Sequence, residues 1–311
     1  MAFSMMWACG GEGSEEESPS PEASLTATPF QLPERSPTEM ELPVRIAVTL
    51  PIFEGFAREA GGENVEVISL IPAGSDPHSY EFTPQDLEKM KGIDFFFLNG
   101  LGLDSRLQDV IEANRDEDAY VIPFAPNILS PSGGGLTAAE AHDDAHLWLD
   151  PALAYVYTEI VADELDIYDG IRKETYDANF TAFRDAMLSL QNDIFSRLQA
   201  LSADRRKLVT FHDSFDHFAR KFELEVAGYA VAKAGDAPTP DAVGRLVQIV
   251  GEQAIPAVFA EYGYDAGLMQ QVATQAGVQL CTLYSDIVDP ALTYDEMMNA
   301  NADEILRCLG S

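Results

Sequence analysis

The stretch from His142 to Pro151, HDDAHLWLDP, sets imidazoles and carboxylates side by side, just ahead of an aromatic residue and a proline that opens a new segment. Imidazole and carboxylate together suit a borderline divalent cation, zinc foremost with manganese as the alternative. Loops rich in His and Asp are common, so the stretch gains weight from three residues elsewhere: His78, His212 and Asp286. Together with His146 these stand at near-equal separations of roughly seventy residues, as expected if each sits past the end of a different strand of a repeating βα chain and faces one cleft.

No other chemistry competes strongly. The chain lacks GxGxxG, GxxxxGK[ST], GxSxG and HExxH patterns. Four protein ligands fill a tetrahedral shell and leave no open position for an activated water, so the residues point to capture of a metal, not to catalysis. A metal-dependent hydrolase is the alternative from another class, and it would need a cleft water and a general base. His217 falls within the helix that follows His212, on a different face, and reads as a packed or solvated histidine.

Composition narrows the field. With 311 residues and 46% hydrophobic content the chain can bury the cores of two domains. No apolar run reaches the roughly 18 residues that span a bilayer. A formal charge of −33, from 52 acidic against 19 basic residues, excludes nucleic acid as a natural partner and is compatible with a cation ligand. Residues 1–9, MAFSMMWAC, look like the remnant of an export signal ending in a lipid-attachment cysteine, Cys9, although no Lys or Arg precedes it. Residues 10–43 are rich in Gly, Ser, Glu, Pro and Thr and read as a disordered acidic tether.

The elements that must position the four residues follow from local patterns. Strands are expected at 44–50, 65–71, 93–99, 119–124, 208–211, 227–232, 256–261 and 277–284, with helices between them. Pro51 and Pro151 open helices. Thr83 and Thr239 each precede a proline as helix caps, and Thr293 with Glu296 forms a capping box. His78, His212 and Asp286 then lie just past strand ends. Phe180, Phe183, Met187, Leu190, Ile194 and Leu198 recur at helical spacing without an internal Pro or Gly, which predicts one long helix over 170–203. The expected fold is α/β: two lobes, each a mostly parallel sheet flanked by helices, joined by one long rigid linker helix, with the metal site in the interlobe cleft. The lobes are 44–169 and 204–311. If the protein is exported, Cys281 on the last strand and Cys308 in the terminal helix are placed to form a disulfide.

Several motifs together carry a resemblance. DPHSYEFTPQDLEKMKGIDFFFLNGLGLD, HLWLDP, TFHDSFDHFARKFELEVAG, the VFAE stretch and YSDIVDPALTYDEMMNANADEIL resemble, in the same order, the zinc- and manganese-binding lipoproteins of bacterial ABC metal importers. The resemblance implies a non-enzymatic, extracytoplasmic solute-binding protein, monomeric, periplasmic or held by lipid at the outer face of the membrane, that hands its metal to an ABC permease. It implies His78, His146, His212 and Asp286 as ligands to zinc, with manganese as the alternative, and Glu261 beside them as an auxiliary or supporting acid. The loop before His146 is shortened relative to many zinc importers and leaves His142 as a weak scavenging ligand. A surface adhesin of the same fold is the alternative within the family.

Overall fold

VRIAV, VEVIS and FFFL are short runs of branched and aromatic residues, the composition that a parallel sheet covered on both faces demands. In the computed structural model of the chain, which describes residues 42–129 and 144–310, they form strands β1 (Val44–Val48), β2 (Val65–Ser69) and β3 (Phe95–Leu98). With β4 (Tyr120–Pro123) they make a parallel sheet of order β2-β1-β3-β4, in register Val44 to Val65, Ile46 to Phe95 and Phe95 to Tyr120. Residues 95–98 are wholly buried. The flanking helices are α1 (Pro51–Gly61), α2 (Pro84–Lys89), α3 (Ser105–Asn114), α4 (Phe124–Ile128) and α5 (Pro151–Tyr168). Thr83 and Asp86 form the reciprocal capping box at the start of α2.

The second lobe pairs β5 (Lys207–His212) with β6 (Glu225–Val231) and β7 (Ala257–Glu261) with β8 (Gln279–Leu283), both parallel. Strand β5 lies alongside β7, and the backbone N–H of its last residue, His212, donates to the Glu261 side chain at 2.9 Å. Around these strands pack α7 (Asp216–Phe222), α8 (Ala242–Glu252), α9 (Gly267–Ala276) and α10 (Tyr294–Leu309). Thr293 and Glu296 cap α10 as the sequence predicts. The expected cap at Thr239 is not made. Helix α8 starts two residues later than that pattern requires, with Asp241 at its N-cap and no side-chain bond. Helices α3 and α9 fill two of the gaps expected between strands, burying Leu107 and Ile111 in the one and Met269, Val272 and Ala273 in the other. The sulfur atoms of Cys281 and Cys308 are joined, 1.98 Å apart, tying α10 to β8.

Between the lobes runs α6 (Lys173–Leu198), 26 residues and so about 39 Å long. It is shorter than the expected 170–203 at both ends: residues 170–172 form a separate 3-10 turn, and the helix stops at Leu198. Tyr176, Phe183, Met187, Leu190, Ile194 and Leu198 are its buried face, while Phe180 lies half-buried at the edge under Arg184. The helix packs on α1 and α5 of the first lobe and on α7 and α10 of the second. Asn179 donates to the Ala60 carbonyl at 3.0 Å, and Arg197 to Asn299 at 2.7 Å. A hinge needs a few residues able to absorb changes in φ and ψ, and an unbroken helix packed at both ends supplies none. Solution scattering curves with and without a bound divalent cation should therefore nearly superimpose; a marked compaction on loading would contradict this.

Among the described residues no helix is long and apolar enough to cross a membrane. One aromatic cluster fills the space behind the cleft. Phe53 packs against Phe56, Phe124, Trp148 and Tyr157, with ring centroids 5.3–6.3 Å apart, and all five rings are fully buried.

Candidate metal centre

Three loops and one strand end bring their side chains to one point. His78 lies on the turn after β2, where Asp76 accepts from the His78 backbone N–H at 2.9 Å and from the Ser79 hydroxyl at 2.6 Å. Arg106 of α3 donates to the His78 carbonyl at 2.6 Å and so helps fix this loop. His146 follows α4 and enters a 3-10 turn ahead of α5. Asn99, at the end of β3, donates to the Ala145 carbonyl at 2.8 Å and is itself held by the Tyr157 hydroxyl at 2.8 Å. His212 ends β5. Asp286 sits in the loop after β8, where Tyr264 donates its hydroxyl to Oδ2 at 2.8 Å. Gly263 makes that approach feasible: its φ is +84°, and a Cβ there would lie 2.6 Å from the Ile287 side chain.

The three Nε2 atoms converge on the Asp286 carboxylate. His146 Nε2 is 3.0 Å from Oδ1, while His212 Nε2 and His78 Nε2 are 3.2 and 3.3 Å from Oδ2. The two imidazoles of His146 and His212 face each other with their Nε2 atoms 3.3 Å apart. Each of the four residues offers one ligand-type atom, and all four atoms lie within 4.8 Å of one another. His146, His212 and Asp286 are buried. His78 Nε2 and Asp286 Oδ1 are buried without a well-directed hydrogen bond. Orphaned polar atoms at this depth are costly, and a cation coordinated among them removes that cost.

Outside this ring stand the groups that orient it. His146 Nδ1 is 2.5 Å from Asp144 Oδ1, and His212 Nδ1 is 2.8 Å from Glu261 Oε2. Two of the imidazoles thus have a carboxylate behind them, the arrangement that fixes a ring's tautomer and raises its basicity toward a metal. Glu261 is buried, accepts from the Ser214 hydroxyl at 3.4 Å, and is also bonded by the Ser285 hydroxyl. Nothing in the spacing of the sequence signals Asp144 in this role; only its place two residues before His146 could have suggested it. His217 is buried, as a packed histidine, but it is not idle: its Nε2 is 3.1 Å from the Asp144 carbonyl, and Lys221, one turn on, pairs with Asp150 at 3.2 Å. Helix α7 thereby grips the segment carrying His146. Cys9 and His142 lie outside the described residues.

The electrostatics describe a centre charged for proton or metal. Burial works against protonation of His146, but the Asp286 and Asp144 carboxylates override it and raise its pKa to about 9. His212 is likewise desolvated and yet raised well above the ordinary value by Glu261 and Asp286. Burial pushes Asp286 up, and its imidazole partners His146 and His212 pull it further, well below the carboxylate range. In the metal-free protein His146 therefore keeps its proton up to about pH 9, instead of losing it near 6.5 as an isolated imidazole would. A raised pKa contributes stability that is full below 6.5 and is lost as pH rises through about 9. Metal must displace those protons. Calorimetry at pH 7.5 in buffers of differing ionisation enthalpy should accordingly show protons released on metal binding, with affinity still climbing toward pH 9; binding without proton release would contradict the assignment.

The chain is similar to several known proteins. The family model for zinc-uptake complex component A, periplasmic, matches residues 46–308. The manganese-binding lipoprotein MntA of Halalkalibacterium halodurans is 29% identical over 266 residues, covering 84% of this chain and 86% of its own. The iron-binding protein YfeA of Yersinia pestis is 26% identical over 293 residues, covering 93% of each. The periplasmic zinc-binding protein TroA of Treponema pallidum superimposes with a TM-score of 0.78 at 24% identity, over 86% of this chain and 99% of that one, a likeness that speaks for the two-lobed fold. The chain belongs to the family of zinc-uptake complex component A, extracytoplasmic substrate-binding proteins of ABC metal importers and not enzymes.

Proposed function

We propose that this protein captures one zinc ion on His78, His146, His212 and Asp286 and delivers it to its membrane permease. The observation that carries the reading is the convergence of three Nε2 atoms and one carboxylate in a buried pocket, two of whose polar atoms lack a hydrogen bond. Three imidazoles and one carboxylate suit the tetrahedral preference of zinc, whereas manganese favours more oxygen ligands and a larger coordination number. The relatives named for manganese, iron and zinc leave that choice to the ligand set of this chain. Competition titrations of the purified chain with zinc, manganese and iron(II) test it, read together with the visible spectrum of the cobalt(II) form. Zinc should win, and cobalt should give the intense absorption of a four-coordinate site. Manganese binding as tight as zinc, or a weak six-coordinate cobalt spectrum, would overturn the choice.

The reading extends to the rest of the chain: a lipid on Cys9, a tether over 10–43, lobes at 44–169 and 204–311 joined through 170–203, and a monomer that docks on the permease. Glu261 serves by holding His212, without touching the ion. Glu261→Gln removes the charge behind His212 and, with one acceptor oxygen in place of two, cannot accept from both the His212 backbone N–H and its Nδ1–H, so it should weaken zinc binding by about 10–100-fold. Unchanged affinity in that variant would remove Glu261 from the account.

A further inference from the structure

We propose that Tyr264 sets the metal preference of the centre: its hydroxyl holds one oxygen of Asp286, so that the carboxylate meets the captured ion through the other. That keeps the shell at four ligands and favours zinc over manganese. The inference deepens the zinc-capture reading above and rests on it.

A carboxylate can give a cation one oxygen or both. The two oxygens of Asp286 are not equivalent. Oδ2 accepts the Tyr264 hydroxyl at 2.8 Å, whereas Oδ1 is buried without a directed hydrogen bond. His78 Nε2 is in the same condition, so it and Oδ1 are atoms left to a cation. The Nε2 atoms of His212 and His78 also lie 3.2 and 3.3 Å from Oδ2. A neutral imidazole whose Nε2 lone pair is on the ion has no proton there to donate, so of these contacts the Tyr264 bond is the one a loaded centre retains. An oxygen already holding a phenol proton is the poorer second donor. Zinc is satisfied by four ligands, while manganese suits more oxygens and a larger shell, so the missing second oxygen costs manganese more.

The fold places Tyr264 for this task. It closes the turn after β7, where its backbone N–H donates to the Glu261 carbonyl at 3.2 Å and Tyr262 N–H donates to the Leu283 carbonyl of β8 at 2.8 Å. One turn thus carries both Glu261, behind His212, and Tyr264, behind Asp286. The Tyr264 ring packs against Phe211 and His212, with centroids 5.5 and 5.8 Å apart. Asp76 Oδ1 lies 3.4 Å from the hydroxyl, but the single phenol proton is better placed for Asp286 at 2.8 Å. The ring carries the packing and the hydroxyl carries the bond, so removing one atom separates the two.

Tyr264→Phe makes that separation. Competition titrations of the full chain with zinc and manganese, and the visible spectrum of the cobalt(II) form, are compared with wild type. With Oδ2 released, the lead of zinc over manganese should narrow by about tenfold, the lower end of the effect of an outer hydrogen-bond partner. The cobalt absorption should weaken toward that of a five-coordinate ion. A hydroxyl that merely braces the fold would loosen both metals alike and leave the cobalt spectrum unaltered. An unchanged zinc-to-manganese ratio, or an unchanged cobalt spectrum, would overturn the role of Tyr264 and leave the zinc reading standing. A wild-type chain that prefers manganese, with a weak six-coordinate cobalt spectrum, would overturn both.

Discussion

Asp286→Ala is expected to weaken zinc binding by about 100-fold or more. Structural zinc sites of four ligands bind with roughly 10–16 kcal/mol, so one ligand is worth on the order of 3 kcal/mol, and each 1.4 kcal/mol is tenfold. Asp286 should lie at the upper end, because its carboxylate is the group that all three imidazoles approach and its removal leaves them facing one another. His146→Ala should be nearly as damaging. His217→Ala should fall between those variants and wild type, weakening binding by about tenfold, since it supports Asp144 through the backbone and does not reach the ion. Binding titrations of the three variants in parallel give the ranking. A His217→Ala defect as large as that of His146→Ala would mean the ligand set is misassigned.

Trp148→Ala should destabilise the metal-free protein by about 3–5 kcal/mol, the range for deleting a fully buried large aromatic side chain. The ring packs edge-on to Phe53 at 5.5 Å and against His146 at 5.2 Å. Its Nε1–H crosses the cleft to the Ser285 carbonyl at 3.2 Å, and the Tyr294 hydroxyl crosses back to the Trp148 carbonyl at 2.7 Å. The substitution thus opens a cavity and leaves the acceptor next to Asp286 without its donor. Trp148→Phe should recover much of the packing but not the hydrogen bond. Urea unfolding of the metal-free proteins measures both. A loss below about 1 kcal/mol in the alanine variant would show that the site relaxes around the gap and that this residue does not join the lobes.

What the sequence revealed was the part of the structure encoded locally. Strand ends, the capping boxes at Thr83 and Thr293, and the apolar face of α6 are patterns of neighbouring residues, so the βα scaffold and the positions of His78, His212 and Asp286 at its loop ends could be read directly. The support around the ligands is tertiary. Arg106 reaches the His78 carbonyl from 28 residues away and Asn99 reaches the Ala145 carbonyl from 46 away, and no periodicity encodes such meetings. His217 shows the same limit: its spacing from His212 sets it on a different helix face, yet its bond to the Asp144 carbonyl spans 73 residues and could not be foreseen. The electrostatics of the site are tertiary for a related reason. An isolated imidazole titrates near pH 6.5, but two carboxylates around His146 raise its pKa to about 9.

X-ray absorption at the zinc edge of the loaded, full-length protein tests the central claim most directly. The account predicts one zinc per chain in a shell of three imidazole nitrogens and one carboxylate oxygen, at about 2.0–2.2 Å, with no sulfur. The Asp286→Ala protein should lose that shell's oxygen or fail to hold the ion. A spectrum with fewer than three imidazoles, with sulfur ligands, or unchanged by loss of Asp286 would contradict the assignment of His78, His146, His212 and Asp286.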